Sequence, residues 1–220
     1  MIKACIFDLD GVIVDTAKYH FVAWRRLGRE FGYELTEKQN EKLKGVSRMG
    51  SLELMLEWAG VEKTDAEKLE MTDRKNGWYR QHILKMDESE ILEGVMPFLN
   101  DLRLKNIPFA LGSASKNSIP ILNQIGIKDY FVDVIDGNRT TRSKPDPQTF
   151  ELGAEALNLK PEECIVFEDS QKGIEAALRG GFHAIGIGEP EVLSEAHFVI
   201  PNFINHTFEE LVNVLNNRKS

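Results

Sequence analysis

The chain has 220 residues, of which 42% are hydrophobic and 28% charged, a composition typical of a globular protein with one large domain or two smaller ones. Its formal net charge of −8 argues against a broad basic surface for nucleic acids, although a local cluster of cations still suits a small anionic ligand. No apolar run approaches the roughly 20 residues of a membrane-spanning helix, and the N-terminus lacks a signal-peptide pattern.

The first predicted element is a strand, KACIFDL, which is apolar without alternation. Such a run is typical of a strand covered on both faces, as in parallel sheets. The run contains Cys5, and a later apolar run contains Cys164. These positions predict buried free thiols and a reducing, cytoplasmic location.

Residues 16–88 contain no strand-like run, and their patterns predict several helices. Thr16 is a candidate cap for the first helical pattern, TAKYHFVAWRRLGREFG. Three further patterns follow, namely TEKQNEKLKG, RMGSLELMLEWAG and TDAEKLEMTDRKNGWYRQHILKM. A helical block after the first strand predicts a small all-helical cap domain over 16–88, inserted into a core of residues 1–15 and 89–220. The connections at 13–18 and 86–94 are the predicted hinges.

The remaining chain alternates strand-like and helical patterns. The strand-like runs are IPFALGS, FVDVID, ECIVFED, FHAIGIG and HFVIP. The helical patterns are VMPFLNDLRLKN, KNSIPILNQIG, DPQTFELGAEALNLK and SQKGIEAALRGG. This alternation predicts an α/β fold with a doubly wound, mostly parallel, Rossmann-like sheet.

Two acids one residue apart follow the first strand. Asp8 and Asp10 point to the same side of an extended segment, and Gly11 lets the chain turn away. Carboxylates this close need a cation, or one of them stays protonated. A helix cap or a solvated turn is the alternative for such a pair. The carboxyl end of a buried strand, where open α/β sheets bind ligands, favours a functional site.

A second pair of acids, Glu168 and Asp169, ends the strand ECIVFED. Asp169 or the following Ser170 is also a candidate cap for the next helix. Acids from two strands meeting at one sheet edge predict a site of oxygen ligands, for which Mg²⁺ is the commonest ion.

The polar residues that follow another strand are suited to binding an anion. The turn after IPFALGS offers hydroxyls, backbone N–H groups and a helix N-terminus. Its residues are Ser113, Ala114, Ser115, Lys116 and Asn117. An ordinary polar turn is an equal alternative. Lys144 lies just before Pro145 and Pro147 in TRSKPDP, and a lone loop lysine is usually exposed.

The motifs FDLDGVIVDT, GSASKN, SKPDPQTF and VFEDSQKGIEAALRGG, in this order, resemble those of the haloacid dehalogenase superfamily. Within it, DTAKYHFVAW, LKGVSRMGSLE, DRKN and SASKN are more similar to the β-phosphoglucomutases than to generic sugar-phosphate phosphatases. The resemblance implies interconversion of β-D-glucose 1-phosphate and D-glucose 6-phosphate through an aspartyl phosphate. It also implies one Mg²⁺ per subunit and glucose 1,6-bisphosphate as intermediate and activator.

The resemblance assigns roles to core residues. Asp8 matches the nucleophile and Asp10 the general acid/base. The Mg²⁺ ligands are matched by Asp8, Asp10 through its carbonyl, Asp169 and, assisting, Glu168. The groups that hold the transferring phosphoryl group are matched by Ser113, the Ala114 N–H and Lys144.

The resemblance also assigns roles around the cap. Arg48 matches the group that binds the phosphate not being transferred, with core partners Ser115, Lys116 and Asn117. The residues expected over the sugar are Gly45, Val46 and Ser51. His20 and Lys75 match residues that set the position of Asp10. Solvated charges at Arg48 and Lys75, and a satisfied interfacial histidine at His20, are the alternatives.

The aromatic stretches YHFVAW and NGWY are predicted to form the cap's own core, with Trp24 as the one candidate for a sugar contact. A phosphatase that lets water attack the aspartyl phosphate is the main alternative function. A phospho-accepting receiver domain lacks a large insertion after its first strand, and Asp10 disfavours dehalogenase and phosphonate chemistry. We therefore expect a cytoplasmic monomer acting on small sugar phosphates, without nucleic-acid or membrane partners.

Overall fold

The computed structural model describes residues 1–217, and this part of the chain contains one six-stranded parallel sheet. The strands are β1 (Ala4–Phe7), β2 (Phe109–Gly112), β3 (Val134–Ile135), β4 (Cys164–Glu168), β5 (His183–Ile187) and β6 (Phe198–Ile200). Their spatial order is β3-β2-β1-β4-β5-β6, and every neighbouring pair is parallel. The predicted Rossmann-like sheet is confirmed. Its strand order reverses between β1 and β4, the point at which such sheets bind ligands.

The edge strand β3 is shorter than the run FVDVID. The side chain of Asp133 accepts a hydrogen bond from the Val134 N–H at 2.7 Å, and that of Asp136 accepts one from the Asn138 N–H at 2.9 Å. The bond from Asn138 closes a turn that ends the strand after Ile135. At the other end, the Val132 N–H and the Asp133 carbonyl still bond to β2, although only Val134 and Ile135 belong to the strand.

Helices cover both faces of the sheet. They are α5 (Val95–Leu104), α6 (Ser118–Gln124), α7 (Gln148–Ala156), α8 (Gln171–Arg179) and α9 (Phe208–Asn217). Neighbouring residues of β1 enter different cores, since Phe7 packs with Phe98 and Phe167 on one face and Ile6 packs with Phe150 on the other. Burial on both faces explains why the strand runs lack polar alternation.

Four helices lie between β1 and α5 in this part of the chain. They are α1 (Ala17–Glu30), α2 (Glu37–Glu41), α3 (Arg48–Ala59) and α4 (Asp65–Ile83). Helices α1, α3 and α4 share a hydrophobic cluster that includes Trp24, Leu27 and Met55. The side chains of Thr36, Ser47 and Thr64 cap α2, α3 and α4. Helix α2 covers half of its predicted segment because the chain then turns to Gly45, at φ 70°.

The two connections to the helical block run side by side. Val14 pairs with Ile91, and the Leu92 N–H donates to the Ile13 carbonyl at 2.9 Å. Thr16 occupies the N-cap position of α1 but its side chain makes no capping bond. The division into a core of 1–15 and 89–220 and a cap of 16–88 stays a prediction, as do the hinges.

Both cysteines are buried and free, as predicted. Among residues 1–217, no helix is both long and apolar enough to cross a membrane.

Candidate active site

A cavity of about 370 Å³ lies between the four-helix block and the carboxyl ends of β1, β2 and β4. Two predicted site residues, Lys144 and Glu168, do not line it; they are buried and bonded to residues at its base. The predicted residues that line it are Asp8, Asp10, His20, Trp24, Gly45, Val46, Arg48, Ser51, Lys75, Ser113, Ala114, Ser115, Lys116, Asn117 and Asp169. The fold thus brings together residues from widely separated segments.

A buried lysine joins the two strands that carry acids. Lys144 Nζ lies 2.6 Å from Asp8 Oδ1 and 2.7 Å from Glu168 Oε2, and it donates to the Gly112 carbonyl at 3.3 Å. Its side chain is 0% exposed. Burial alone lowers the pKa of Lys144, but the carboxylates of Asp8 and Glu168 raise it above its usual range. Lys144 is therefore an ammonium ion held between two acids.

The acids after β1 differ in their affinity for protons. Burial raises the pKa of Asp8 to about 6, with Lys144 lowering it and Glu168 raising it. Burial raises the pKa of Asp10 to about 8, and the neighbouring charges of Asp8 and Asp169 add to the effect. At neutral pH, Asp8 is mostly ionised and Asp10 mostly protonated. Two neighbouring carboxyls with separated pKa values suit a nucleophile and a proton donor.

Three acids cluster at the sheet edge. Carboxylate oxygens of Asp8, Glu168 and Asp169 lie within 4.8 Å of one another. Burial raises the pKa of Asp169 to about 7, Glu168 raises it further, and Lys44 lowers it. A Cβ at Gly11, which has φ 81°, would stand 2.2 Å from Asp169 Oδ2, so only glycine permits this approach. Buried oxygen donors with raised pKa values fit a hard divalent cation such as Mg²⁺.

The two acids of β4 differ in their hydrogen bonds. Both carboxylate oxygens of Glu168 are engaged, Oε2 by Lys144 and Oε1 by the N–H and hydroxyl of Ser170. The Ser170 hydroxyl also caps α8 by accepting from the Gly173 N–H at 3.1 Å. Capping therefore falls to Ser170, which leaves Asp169 facing the cavity.

The turn after β2 brings several donors to the cavity. The Ser113 hydroxyl accepts from the Ser115 N–H at 3.1 Å, and the Ser115 hydroxyl accepts from the Asn117 N–H at 3.2 Å. This chain of bonds holds the turn in a defined shape. Ser113 and Asn117 are buried, whereas Lys116 is exposed.

The helical block contributes a buried histidine–lysine pair. Lys75 Nζ lies 2.8 Å from His20 Nδ1 and 4.3 Å from the centre of the Trp24 ring. Lys75 is only 2% exposed, so it is not a solvated helix charge. Burial lowers the pKa of His20 well below its usual range, and the charges of Lys75 and Arg48 act in the same direction. His20 is therefore neutral. Burial also lowers the pKa of Lys75 well below its usual range, and the charge of Arg48 adds to the effect. The Lys75 amino group already occupies one face of Trp24.

Arg48 begins α3 and is partly exposed. Burial lowers its pKa, and its guanidinium forms no ion pair with any residue from 1 to 217. Gly45, just before it, approaches the core closely: a Cβ there would lie 2.8 Å from Ser170 Oγ. The loop over 44–48 thus presents an unpaired cation to the cavity.

Several cavity residues escaped the sequence analysis. Lys44 Nζ lies 3.1 Å from Asp169 Oδ2, and Asn117 Nδ2 donates to Asn76 Oδ1 at 3.0 Å. Both missed residues lie inside quoted motifs, Lys44 in LKGVSRMGSLE and Asn76 in DRKN, which was the available signal. The loop after β3 adds Thr140, Thr141, Arg142 and Ser143, the last three of which belong to the quoted TRSKPDP.

Comparisons with known proteins identify the family. The family model described as haloacid dehalogenase-like hydrolase matches residues 2–181. The chain belongs to this family. It is 38% identical over 211 residues to a β-phosphoglucomutase of Bacillus subtilis, covering 95% of this chain and 93% of that protein. It is 30% identical over 188 residues to a phosphorylated carbohydrates phosphatase of Thermotoga maritima, covering 83% of each.

A solved β-phosphoglucomutase of Clostridium difficile superimposes with a TM-score of 0.95 at 39% identity, covering 100% of this chain and 99% of that one. The predicted resemblance to the superfamily, and within it to the β-phosphoglucomutases, is confirmed. The α/β fold class with its inserted helices is confirmed by the same superposition.

Proposed function

We propose that this family member is a phosphomutase that interconverts β-D-glucose 1-phosphate and D-glucose 6-phosphate through an aspartyl phosphate. The main structural support is the pair of Asp8 and Asp10, which are held in opposite protonation states in a cavity that the unpaired Arg48 also lines. The names of the relatives from Bacillus subtilis and Clostridium difficile support the sugar and the mutase reaction. We also propose a cytoplasmic, monomeric enzyme.

In the first half-reaction, the Asp8 carboxylate attacks phosphorus, and the bond between phosphorus and the sugar oxygen breaks. Asp10 gives its proton to that oxygen, which leaves as a hydroxyl. In the second half-reaction, Asp10 takes a proton from the attacking hydroxyl, and the phosphoryl group moves from Asp8 to the sugar oxygen. Such a positioned acid/base typically contributes about 10²–10⁴-fold to the rate.

Lys144, the Ser113 hydroxyl and the Ala114 N–H hold the transferring phosphoryl group. Because these donors are positioned before the reaction, they stabilise the charge that spreads over the phosphoryl oxygens. Asp8, the Asp10 carbonyl and Asp169, assisted by Glu168, would hold Mg²⁺, which offsets the repulsion between the carboxylate and the phosphate when bound.

Arg48 binds the phosphate that is not being transferred, since a guanidinium matches phosphate in a bidentate fork. The same phosphate is also bound from the core side of the cavity, by Ser115, Lys116 and Asn117. Gly45, Val46 and Ser51 lie over the sugar. The block that carries these residues excludes water from the aspartyl phosphate while glucose 1,6-bisphosphate reorients.

A sugar-phosphate phosphatase is the second candidate, since the same residues let water attack the aspartyl phosphate. The Thermotoga maritima relative, a phosphatase by name, favours it. The two functions differ in which nucleophile reaches the phosphoryl group.

One experiment separates them. The enzyme is given β-glucose 1-phosphate, a trace of glucose 1,6-bisphosphate and Mg²⁺, and glucose 6-phosphate and inorganic phosphate are followed together. We expect glucose 6-phosphate to form much faster than phosphate; the reverse order would establish the phosphatase. In Asp8→Asn, both products should be absent, and retained turnover would rule out the aspartyl-phosphate mechanism.

A further inference from the structure

Lys144 lies on a long segment that has neither helix nor strand. The segment covers 136–147, between the last residue of β3 and the first residue of α7. Connecting segments are generally more mobile than the elements that they join. A displacement of about 1 Å in a group that contacts the reacting atoms is enough to slow a reaction considerably. The backbone around Lys144 therefore has to be held in place by other contacts.

The side-chain amide of Gln148, the first residue of α7, holds this backbone. Its oxygen accepts hydrogen bonds from the Thr141 N–H at 2.9 Å and from the Arg142 N–H at 2.8 Å. Its nitrogen donates to the Thr141 hydroxyl at 3.2 Å. These bonds close a loop over 141–148 that contains Lys144, and we call them the Gln148 clamp.

Asp146 strengthens the loop from within. Its carboxylate accepts from the Gln148 N–H at 3.0 Å and lies 3.1 Å from Arg142 Nε, while its own N–H donates to the Ser143 carbonyl at 3.0 Å. These contacts lie on both sides of Lys144 in the chain. The backbone that carries Lys144 is thus fixed independently of the ion pairs that its side chain makes.

We propose that Gln148 is a positioning residue, which keeps Lys144 in place while the phosphoryl group moves onto Asp8 and off it again. The inference rests on the proposed function, in which Lys144 holds that group. In the unphosphorylated protein, Lys144 Nζ lies 2.6 Å from Asp8 Oδ1. Phosphorylation removes the charge of the Asp8 carboxylate, so this ion pair no longer fixes the lysine. The Gln148 clamp contains no reacting atom and persists through both half-reactions.

The Gln148 clamp contributes less to folding than to the position of Lys144. Both bonds from the backbone to Gln148 Oε1 are exposed to solvent, where water replaces a lost hydrogen bond at little cost. A variant that lacks the clamp should therefore fold, with a loop that no longer holds Lys144 at a fixed place.

The test is Gln148→Met, which keeps the length of the side chain and removes its polar atoms. We expect kcat for glucose 6-phosphate formation to fall about 10-fold. KM should change by less than about twofold, because the residues proposed to bind the non-transferring phosphate lie outside the loop. Gln148→Glu keeps oxygen acceptors for both N–H groups and should retain kcat within about twofold. Both variants should melt within about 4 °C of the wild type.

A second measurement isolates the contribution of Lys144. Acetyl phosphate transfers its phosphoryl group to the Asp8 carboxylate and releases acetate, so this reaction needs Lys144 but neither a sugar nor a second phosphate. With Mg²⁺ present, Gln148→Met should slow it about 10-fold, as it slows the mutase reaction. Amide hydrogen exchange at Thr141 and Arg142 should become faster in Gln148→Met and stay unchanged in Gln148→Glu.

Gln39→Met is the matched control. Gln39 Oε1 accepts from the Thr36 N–H at 3.1 Å at the start of α2, and Gln39 does not line the cavity, so the kcat of this variant should equal that of the wild type. Unchanged rates in Gln148→Met, a loss confined to the sugar substrate, a larger fall in melting temperature, or an equal loss in Gln148→Glu would each overturn the inference. A wild type that accepts the phosphoryl group of acetyl phosphate but forms no glucose 6-phosphate would count against the proposed function instead.

Discussion

At the scale of single residues, Lys144 controls the charge balance of the site. It is completely buried and pairs with Asp8 and Glu168, which belong to two neighbouring strands. Removing one partner of such a buried arrangement leaves uncompensated charge. The ammonium therefore stabilises the folded protein as well as holding the substrate in the proposed reaction.

We predict that Lys144→Met lowers the free energy of unfolding by about 3–5 kcal/mol at pH 7.5. Without the ammonium, the folded-state pKa of Asp8 rises above its wild-type value of about 6. A raised carboxyl pKa costs stability above that pKa, and protonation relieves the cost as pH falls through it. The loss relative to the wild type should therefore shrink as the pH falls from 7.5 toward about 6. Urea denaturation at several pH values measures it.

Lys128→Met, at a surface lysine paired with Asp129, is the matched control and should change stability by less than about 0.5 kcal/mol. A loss in Lys144→Met that does not depend on pH would contradict the electrostatic account.

The carboxyls beside Lys144 also predict how a divalent cation binds. Because the pKa of Asp8 is about 6 and that of Asp169 about 7, protons compete with the ion near neutral pH. We predict that Mg²⁺ binds the substrate-free protein at least about tenfold more tightly at pH 8 than at pH 6, with release of protons. Isothermal titration calorimetry tests this.

Asp73→Asn provides the comparison for Mg²⁺ binding, since Asp73 lines the cavity outside the acid cluster. It should bind Mg²⁺ as the wild type does. Equal affinity of the wild type at both pH values would show that the raised pKa values do not govern the site.

At the scale of elements, helix α4 is joined to the start of α6 by one amide pair. Asn117 Nδ2 donates to Asn76 Oδ1 at 3.0 Å, and Asn117 is 6% exposed. Asn117 occupies the N-cap position of α6 without using its side chain for capping. Its amide is therefore available to orient both the helical block and, in our proposal, the non-transferring phosphate.

We predict that Asn76→Ala raises KM for the sugar phosphate by roughly 2- to 12-fold, the effect of one neutral hydrogen bond, because closure loses a contact. Small-angle X-ray scattering should detect a larger radius of gyration in the substrate-bound variant. Asn213→Ala, on the exposed face of α9, should leave both quantities unchanged. An unaltered KM in Asn76→Ala would mean that the pair does not contribute to closure.

At the scale of the whole molecule, an acidic protein places several basic side chains around one cavity. The chain carries a net charge of −8, yet the cavity is lined by Lys44, Arg48, Lys75, Lys116 and Arg142. The first three come from the helical block and the last two from the core. Cations on both sides of one cavity suit a substrate with two phosphates, whereas a single phosphate needs only one side.

We predict that Arg48→Ala lowers kcat/KM for the mutase reaction by about 100-fold, from the loss of a charge-assisted bidentate contact. Hydrolysis of a small phosphate ester, which has no second phosphate, should change far less. The exposed Arg179 on α8 provides a control, and Arg179→Ala should behave as the wild type in both assays. Equal losses in the two reactions of Arg48→Ala would remove its assignment to the distal phosphate.

Much of the fold and of the acid site followed from the sequence alone. The strands were recognised because two-sided burial requires unbroken apolar runs, as in CIVFE of β4. The meeting of Asp8 with Asp169 was predictable because parallel strands end at a common edge. The length of β3 was not, since its end depends on the turn at Asp136, whose side chain accepts from the Asn138 N–H.

Only the tertiary structure determined which polar residues are buried and which residues they contact. The sequence predicts that Lys144 is an exposed loop lysine, whereas the fold places it beside Asp8, 136 residues earlier in the chain. Lys75, Asn76 and Tyr79 belong to one helix of mixed polarity, and nothing local shows which side faces the core. Local patterns determine elements and strand ends, because these depend on near neighbours; the pairing of charges across the cavity depends on long-range packing.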